Sequence, residues 1–270
     1  MYLPKTENCM KYDEDVLECT MPEKLARTGL MNPLEEMISH SKDVLSNLGA
    51  TRPKKAEVSE ADLYEDNGGT TITIKVDNKL IIAADTRLNS DYNIYTRKST
   101  KIHRIGDFFL TTAGFFADGY SIATRLNYAL KQYEQYDTIS LSSMAQLLHH
   151  VLYNNRFFPL YSYCCLSGFE TINGVKQAML YSYDCVGSYQ SVACRVDGTG
   201  TKMIQPLLDS WIDGKNFENY QGIKFDDALN LIKKAFDSAA ESDIKTGDHL
   251  EVVVVDERGP RNELIDLRKD

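Results

Sequence analysis

The chain has 270 residues, 43% hydrophobic and 26% charged, with a formal net charge of −9. That is ordinary for a globular protein with enough chain for one large domain or two small ones. No Lys/Arg-rich run supplies the basic face that phosphate binding needs, which argues against a nucleic-acid partner, and the most apolar runs, Leu80–Ala84 and Val252–Val255, fall far short of a membrane span.

The front quarter differs from the rest. Residues 1–68 hold 14 Asp/Glu against 8 Lys/Arg. Prolines at 4, 22 and 53 interrupt them, and only Leu34–Leu48 has a helical period, with Asn32 as cap, Pro33 at the first helical position and Gly49 as stop. Residues 1–66 therefore read as an acidic, mostly flexible leader, an assembly tail or removable propeptide, with too little apolar surface to offset ordering entropy. They lack the basic-then-apolar pattern of a secretory signal.

From Gly68 the text is structured. Thr70–Val76 alternates, Asp77-Asn78 is a turn and Lys79–Asp85 returns as an apolar strand, which predicts a hairpin. Ile94–Tyr95, Lys101–Ile105 and Phe108–Thr112 are short strands. Asp118–Tyr136 and Leu141–Tyr153 have the helical period, the second capped by Ser140. Strands resume at Leu160–Ser167, Gln177–Tyr183 and Tyr189–Val196. Gly198–Trp211 reads as a helix bent or broken at Pro206, and Phe225–Ser242 as an uninterrupted one. His249–Val255 and Glu263–Leu267 are the last strands, joined around Gly259-Pro260. Helices in pairs between groups of strands argue against a doubly wound parallel sheet. The pattern predicts an α+β fold, two stacked antiparallel sheets with helices on both outer faces, an αββα sandwich spanning residues 67–270.

Six cysteines, Cys9, Cys19, Cys164, Cys165, Cys185 and Cys194, match no metal or redox spacing and read as reduced core thiols. His149 and His150 point about 100° apart on a helix, which does not suit one metal. Gly198-Thr199-Gly200 lacks the Gly-Lys-Thr/Ser of a phosphate loop. No cofactor or metal is expected. The 16 tyrosines are of a residue type favoured at protein–protein interfaces.

The stretch Asn67-Gly-Gly-Thr-Thr-Ile-Thr-Ile-Lys-Val76 raises a chemical question. A cut after Gly69 would expose Thr70 as a new first residue. A first-residue threonine can use its own α-amine as base, given a lysine nearby and a carboxylate to hold that lysine. "GGTTITIKVDNKLIIAADTR" followed by "YTRKSTKI" resembles the start of a proteasome beta subunit. In catalytic members an Asp lies sixteen residues after the nucleophilic Thr, and a Lys sixteen after the Asp. Asp85 and Lys101 keep the second interval, and counting back sixteen from Asp85 lands on Gly69. Thr70 is one residue late, and a one-residue shift on a strand turns its hydroxyl to the other face.

"RFFPLYSY", "LYSYDCVGSYQ", "QPLLD", "SAAESDIKTGD" and the closing "LRKD" resemble the family's non-catalytic type at the sixth beta-ring position, which carries Gly-Gly-Thr. Thr71 departs from the aliphatic residue more usual there. The resemblance, covering about residues 67–270, implies the amino-terminal-nucleophile (Ntn) hydrolase fold. It also implies a degenerate site of Gly69, Asp85, Lys101, Thr199, Asp243 and Thr246, in which Asp85 and Lys101 form a buried pair. Thr199 and Thr246 take the places of serines, and Asp243 matches the family's second aspartate. It further implies a structural role beside other alpha and beta subunits in a 28-subunit particle, with assembly chaperones as further partners, in cytoplasm and nucleus. Two alternatives stand: an active threonine endopeptidase using Thr70 after cleavage at Gly69, and a free hydrolase of the same superfamily acting on small amides.

Overall fold

The computed structural model of the chain describes residues 64–90, 92–218, 220–256 and 258–269. The expected helix over 34–48, with Cys9 and Cys19, lies outside them. The first hairpin is β1 (Thr70–Val76) and β2 (Lys79–Asp85). Asp77 and Asn78 join them with φ of 50° and 54°, the tight turn whose backbone matches strand twist. Both turn residues do more than turn. Asn78 exchanges hydrogen bonds with Lys176 O (3.0 Å) and Ala178 N (2.8 Å) in the other sheet. The Asp77 carboxylate accepts from Phe225 N, the first residue of a helix whose own cap position, Lys224, supplies no side-chain bond.

After β2 come a small ribbon, β3 (Leu88–Ser90) and β4 (Asn93–Thr96), and then β5 (Ile102–Ile105) and β6 (Phe108–Gly114). Helices α1 (Phe116–Tyr133) and α2 (Leu141–Tyr153) follow, α2 capped by the Ser140 hydroxyl accepting from Ser143 N. β7 (Ser162–Ile172) and β8 (Val175–Tyr183) turn through Asn173-Gly174, both at positive φ. Next are β9 (Tyr189–Ser191), β10 (Cys194–Gly198), α3 (Thr201–Trp211) and α4 (Phe225–Ser242). β11 (His249–Asp256) and β12 (Gly259–Asp266) close the chain.

The strands form two five-stranded antiparallel sheets, ordered β10-β1-β2-β11-β12 and β5-β6-β7-β8-β9. Three buried clusters define the layers. One joins the first sheet to α3 and α4 through residues such as Ile72, Ile81, Leu208 and Phe236. Another joins the second sheet to α1 and α2 through Leu110, Leu126, Met144 and Leu166. Between the sheets, Leu80, Ile82 and Val253 meet Phe109, Cys165 and Leu180. β2 feeds both sides, its odd residues toward the helices and its even residues toward the other sheet, which is why its text is continuously apolar. This is the four-layer αββα sandwich.

Three expectations need correction. Tyr189–Val196 is not one strand. β9 pairs with β8 and β10 pairs with β1, so the chain crosses between sheets at Val192-Ala193. The helix of residues 201–211 runs unbroken through Pro206. Proline removes one bond, to the Lys202 carbonyl, and Lys202 lies on the exposed side where water can take that oxygen. Pro260 lies within β12 opposite Val255 and not in a turn; β12 is an edge strand, where a missing N–H costs no ladder bond.

The described cysteines, Cys164, Cys165, Cys185 and Cys194, are free. Burial pushes the thiols of Cys164 and Cys165 far up, and those of Cys185 and Cys194 to about 11. They behave as small hydrophobes at neutral pH. Among the described residues no helix is long and apolar enough to cross a membrane.

Leu180 is fully buried at the centre of the sheet-to-sheet layer. Leu180→Ala is expected to lower unfolding free energy by about 2–5 kcal/mol through lost transfer energy and the cavity left behind, read as a shift of the urea midpoint.

Candidate functional site

The start of β1, the end of β2 and the lead into β5 meet at one end of the sandwich. Asp85 is the last residue of β2 and is fully buried; Lys101 precedes β5 and is 2% exposed. Lys101 comes from the second sheet and reaches into the first. Its ammonium donates to Asp85 O (2.9 Å), Asp85 Oδ1 (3.1 Å) and Arg87 O (2.6 Å). An ammonium has three N–H donors, so all are committed within the protein. Asp85 is equally occupied. Oδ1 also accepts from Thr70 N at 2.7 Å, and Oδ2 accepts from Arg87 N and Gly247 N at 3.3 and 3.4 Å. Burial nevertheless pushes the Asp85 carboxyl above the ordinary carboxylate range, against the pull of Lys101 and of the Thr70 and Gly247 amides.

Gly69 faces this pair with φ of +81°. A Cβ placed on it would lie 2.3 Å from Lys101 Cε, 2.5 Å from Nζ and 2.8 Å from Asp85 Oδ1. Neither the backbone angle nor the space admits a side chain. On the far side of Gly69, its carbonyl accepts from Thr199 N at 2.9 Å. Gly198 must also be glycine, because its Cβ would fall 2.0 Å from Gly69 O.

Thr70 points elsewhere. Its fully buried hydroxyl shares a 2.7 Å hydrogen bond with Thr246 Oγ1 and accepts from Gly200 N at 3.0 Å. Thr246 Oγ1 in turn donates to Asp243 Oδ2 at 2.7 Å, and Thr199 Oγ1 donates to the same oxygen. A polar chain thus runs Thr70–Thr246–Asp243–Thr199 and returns to the Gly69 carbonyl. All seven residues singled out in the sequence, Gly69, Thr70, Asp85, Lys101, Thr199, Asp243 and Thr246, belong to one connected network. It has two branches: the ion pair faces Gly69, and the Thr70 hydroxyl belongs to the other.

Sequence reasoning missed three contributors. Asn67, 4% exposed, donates from its backbone N to Gly114 O and accepts at its backbone O from Asn89 N, both at 3.2 Å, and its side chain donates to Asn89 O (2.9 Å) and accepts from Phe116 N (2.8 Å), capping α1. Arg87, 2% exposed, donates from Nε to Asp248 Oδ2 at 3.0 Å and from Nη1 to Ile244 O at 2.8 Å. Asp248, buried at a positive φ, also accepts from Arg97. Positive φ at a non-glycine residue is a backbone property that no spacing rule reveals. Asn67, in contrast, directly precedes Gly68-Gly69, a text that marks a turn. His149 donates from Nδ1 to Gly187 O (2.8 Å) and stacks on Tyr153. Among the described residues no group of three or more His, Cys, Asp or Glu side chains is placed to hold a metal.

Two antiparallel sheets between helical layers, with a buried Asp–Lys pair facing the first residues of β1, define the architecture of the Ntn-hydrolase class. The family described as "Proteasome subunit" matches residues 65–255, and the chain belongs to that family. It is 45% identical over 224 residues (82% of this chain, 75% of the relative) to "Probable proteasome subunit beta type-6" of Encephalitozoon cuniculi. It is 37% identical over 212 residues (77% and 88%) to "Proteasome subunit beta type-1" of Danio rerio. To the beta type-1 subunit of Oryza sativa it is 37% identical over 217 residues (77% and 97%).

Removing one partner of the buried pair should be severe. Lys101→Met leaves the Asp85 carboxylate and two carbonyls without their donor and is expected to cost about 3–5 kcal/mol in urea unfolding. Adding Asp85→Asn to it should recover part of that loss. A second test concerns acid. Burial disfavours the Asp248 carboxylate, but Arg87 and Arg97 outweigh this and hold its pKa below the ordinary value. Its stabilisation is therefore complete above the unfolded pKa of about 3.9 and disappears as pH falls through the lower folded value. Asp248→Asn should be less stable than the parent at pH 5 and should lose that deficit toward pH 2, read from urea midpoints across the series.

Proposed function

We propose that this chain is a non-catalytic structural beta subunit of the 20S proteasome core. Membership of the family implies assembly with other proteasome subunits; the finer reading concerns this subunit's own site. The observation that carries it is at Gly69. The residue sixteen before Asp85, the one that faces the lysine, has no side chain, and the space a Cβ would need is filled by Lys101.

Further geometry supports the reading. The hydroxyl nearest in sequence, Thr70 Oγ1, is bonded to Thr246 and Gly200 and lies in the other branch of the network. No donor of Lys101 remains to act on it. The subunit's contribution is then to complete its ring at the sixth position and to wall the chamber in which neighbouring subunits cut peptides. The particle is the 28-subunit assembly found in cytoplasm and nucleus, and assembly chaperones bind on the way to it. Residues 1–66 act as an acidic leader that neighbouring active subunits trim. The Asp85–Lys101 pair and the Thr–Asp–Thr chain serve as architecture that holds the ends of β1, β2 and β10 together.

The rival reading makes Thr70 a nucleophile after cleavage at Gly69. In purified particles, intact mass of this subunit combined with an electrophilic inhibitor of threonine proteases separates the two. The expected result is a chain that still contains Gly69 and carries no inhibitor. A chain starting at Thr70 with covalent label on that residue sinks the proposal. Recovery as a free monomer without ring partners, measured by native mass, would sink it equally.

A further inference from the structure

The dipeptide Asn-Gly stands at Asn67-Gly68 and again at Asn173-Gly174. It carries a chemistry of its own. The backbone nitrogen after an asparagine can reach the side-chain carbonyl carbon, and a glycine, having no Cβ, obstructs that approach least. The two copies place the same atoms in opposite surroundings.

Asn67 is closed to the reaction. It is buried, its Nδ2 donates to Asn89 O and its Oδ1 accepts from Phe116 N. The attacking atom is engaged as well, because Gly68 N donates to Asp66 Oδ1 at 3.0 Å. The Lys245 stem lies against Gly68, where a Cβ would fall 2.5 Å from Lys245 Cδ, so the backbone has no room to swing.

Asn173 is open. It is the first residue of the two-residue turn between β7 and β8, at φ of 52° with Gly174 at 79°, the kind of hairpin turn that favours Asn-Gly. Residues 171–177 are all exposed, and a Cβ built on Gly174 meets nothing within 4 Å. The last ladder pair, Ile172 with Val175, faces water. Opening the tip breaks few bonds and uncovers no core, so the turn reaches the conformations that ring closure needs at little cost.

The tip is also coupled to the rest of the molecule. Asn78, in the β1–β2 turn, accepts from Ala178 N and donates to Lys176 O, which ties the end of one sheet to the end of the other. The register of the β7–β8 hairpin sets where those two groups lie.

We infer that Asn173 is a site of spontaneous covalent modification, deamidation and isomerisation at the tip of the β7–β8 hairpin, and that Asn67, in the same dipeptide, is protected from it. Gly174 N, its proton taken by solvent base, bonds to Asn173 Cγ. The Cγ–Nδ2 bond breaks, ammonia leaves with a proton from water, and a five-membered succinimide joins residues 173 and 174. Water then opens the ring. Addition at Cγ restores the ordinary backbone and leaves an aspartate; addition at the backbone carbonyl carbon leaves an isoaspartate, with the chain running through Cγ. No electrons are exchanged with an outside reagent, and both products carry a carboxylate where the amide stood. The aspartate suits the turn, since Asp-Gly serves there too, and changes only the charge. The isoaspartate lengthens the turn by one carbon, which spoils the pairing of Ile172 with Val175 and shifts Lys176 and Ala178 away from Asn78. The inference holds whether or not Thr70 is a nucleophile.

The test ages assembled particles carrying the full chain at mildly alkaline pH in water enriched in heavy oxygen, followed by peptide mapping. Residue 173 is expected to gain labelled oxygen in both aspartyl and isoaspartyl forms, at a rate within about tenfold of a synthetic peptide spanning residues 168–179. Asn67 should react at least about 100-fold more slowly than Asn173. Asn173→Gln, which would have to close a larger ring, should stay unlabelled over the same period. In the isoaspartyl fraction, hydrogen exchange at the Ala178 amide should rise at least about tenfold while that of Leu166, deep in β7, is unchanged. An intact Asn173 in particles whose reference peptide has reacted would overturn the proposal, and so would reaction at Asn67 as fast as at Asn173. No rise at Ala178 would refute the coupling to Asn78. If the glutamine variant fails to assemble, residue 173 of the unaltered chain, read against its own peptide, decides the question.

Discussion

The Asp85–Lys101 pair is the constraint on which this end of the molecule depends. A charge buried in the space between two sheets is tolerable only if every donor and acceptor around it is satisfied. Here the lysine uses three N–H groups on one carboxylate oxygen and two carbonyls, and the carboxylate takes four donors. Those partners come from β1, β2, the segment after β2 and the turn before β11. The pair therefore fixes the relative placement of chain segments far apart in sequence, which hydrophobic packing alone would leave free to slide.

Around that pair a second polar chain is closed on itself. Thr70, Thr246, Asp243 and Thr199 satisfy one another, and the backbone N–H of the last returns to the Gly69 carbonyl. Hydroxyls are suited to such closure because each both donates and accepts. The two branches share β1 but diverge at it, one to each side of the backbone. That divergence follows from the backbone: Gly69, at φ of +81° just ahead of β1, lies against the ion pair, while Thr70, the first residue of the strand, sends its hydroxyl to Thr246 and Gly200.

Much of this was legible in the text and the rest failed for identifiable reasons. Helix α2, the β1–β2 hairpin and α4 carry strong periodicity, and the sequence bounds match the observed ones. The break between β9 and β10 was illegible because the residues on either side are equally strand-like; only the partners differ, and partners are a tertiary matter. The ribbon strand β3, three residues long, is too short for any period to register. At the site, the resemblance to proteasome beta subunits, with its sixteen-residue intervals, pointed to Asp85 and Lys101. Asn67, Arg87 and Asp248 escaped because their roles rest on bonds to backbone groups and on a left-handed residue, neither of which leaves a pattern. Capping shows the same split. Ser140 caps its own helix and is readable, whereas Asp77 and Asn67 cap helices that begin dozens of residues away.

The conformation of Gly69 has a consequence for substitution. A larger residue does not fit at this position by a single exchange while the upstream chain keeps its present course. A β-branched residue at φ of +81° is a steric outlier. Its Cβ would displace a lysine tied by three bonds, and the carbonyl of the same residue is pinned under Gly198. Each of these obstacles has to be removed together with the others, since relieving one alone only destabilises the buried pair. The bare backbone at Gly69 is thus held in place by its surroundings: any side chain put there meets the lysine, the left-handed turn and Gly198 at once, and shows first as lost folding stability.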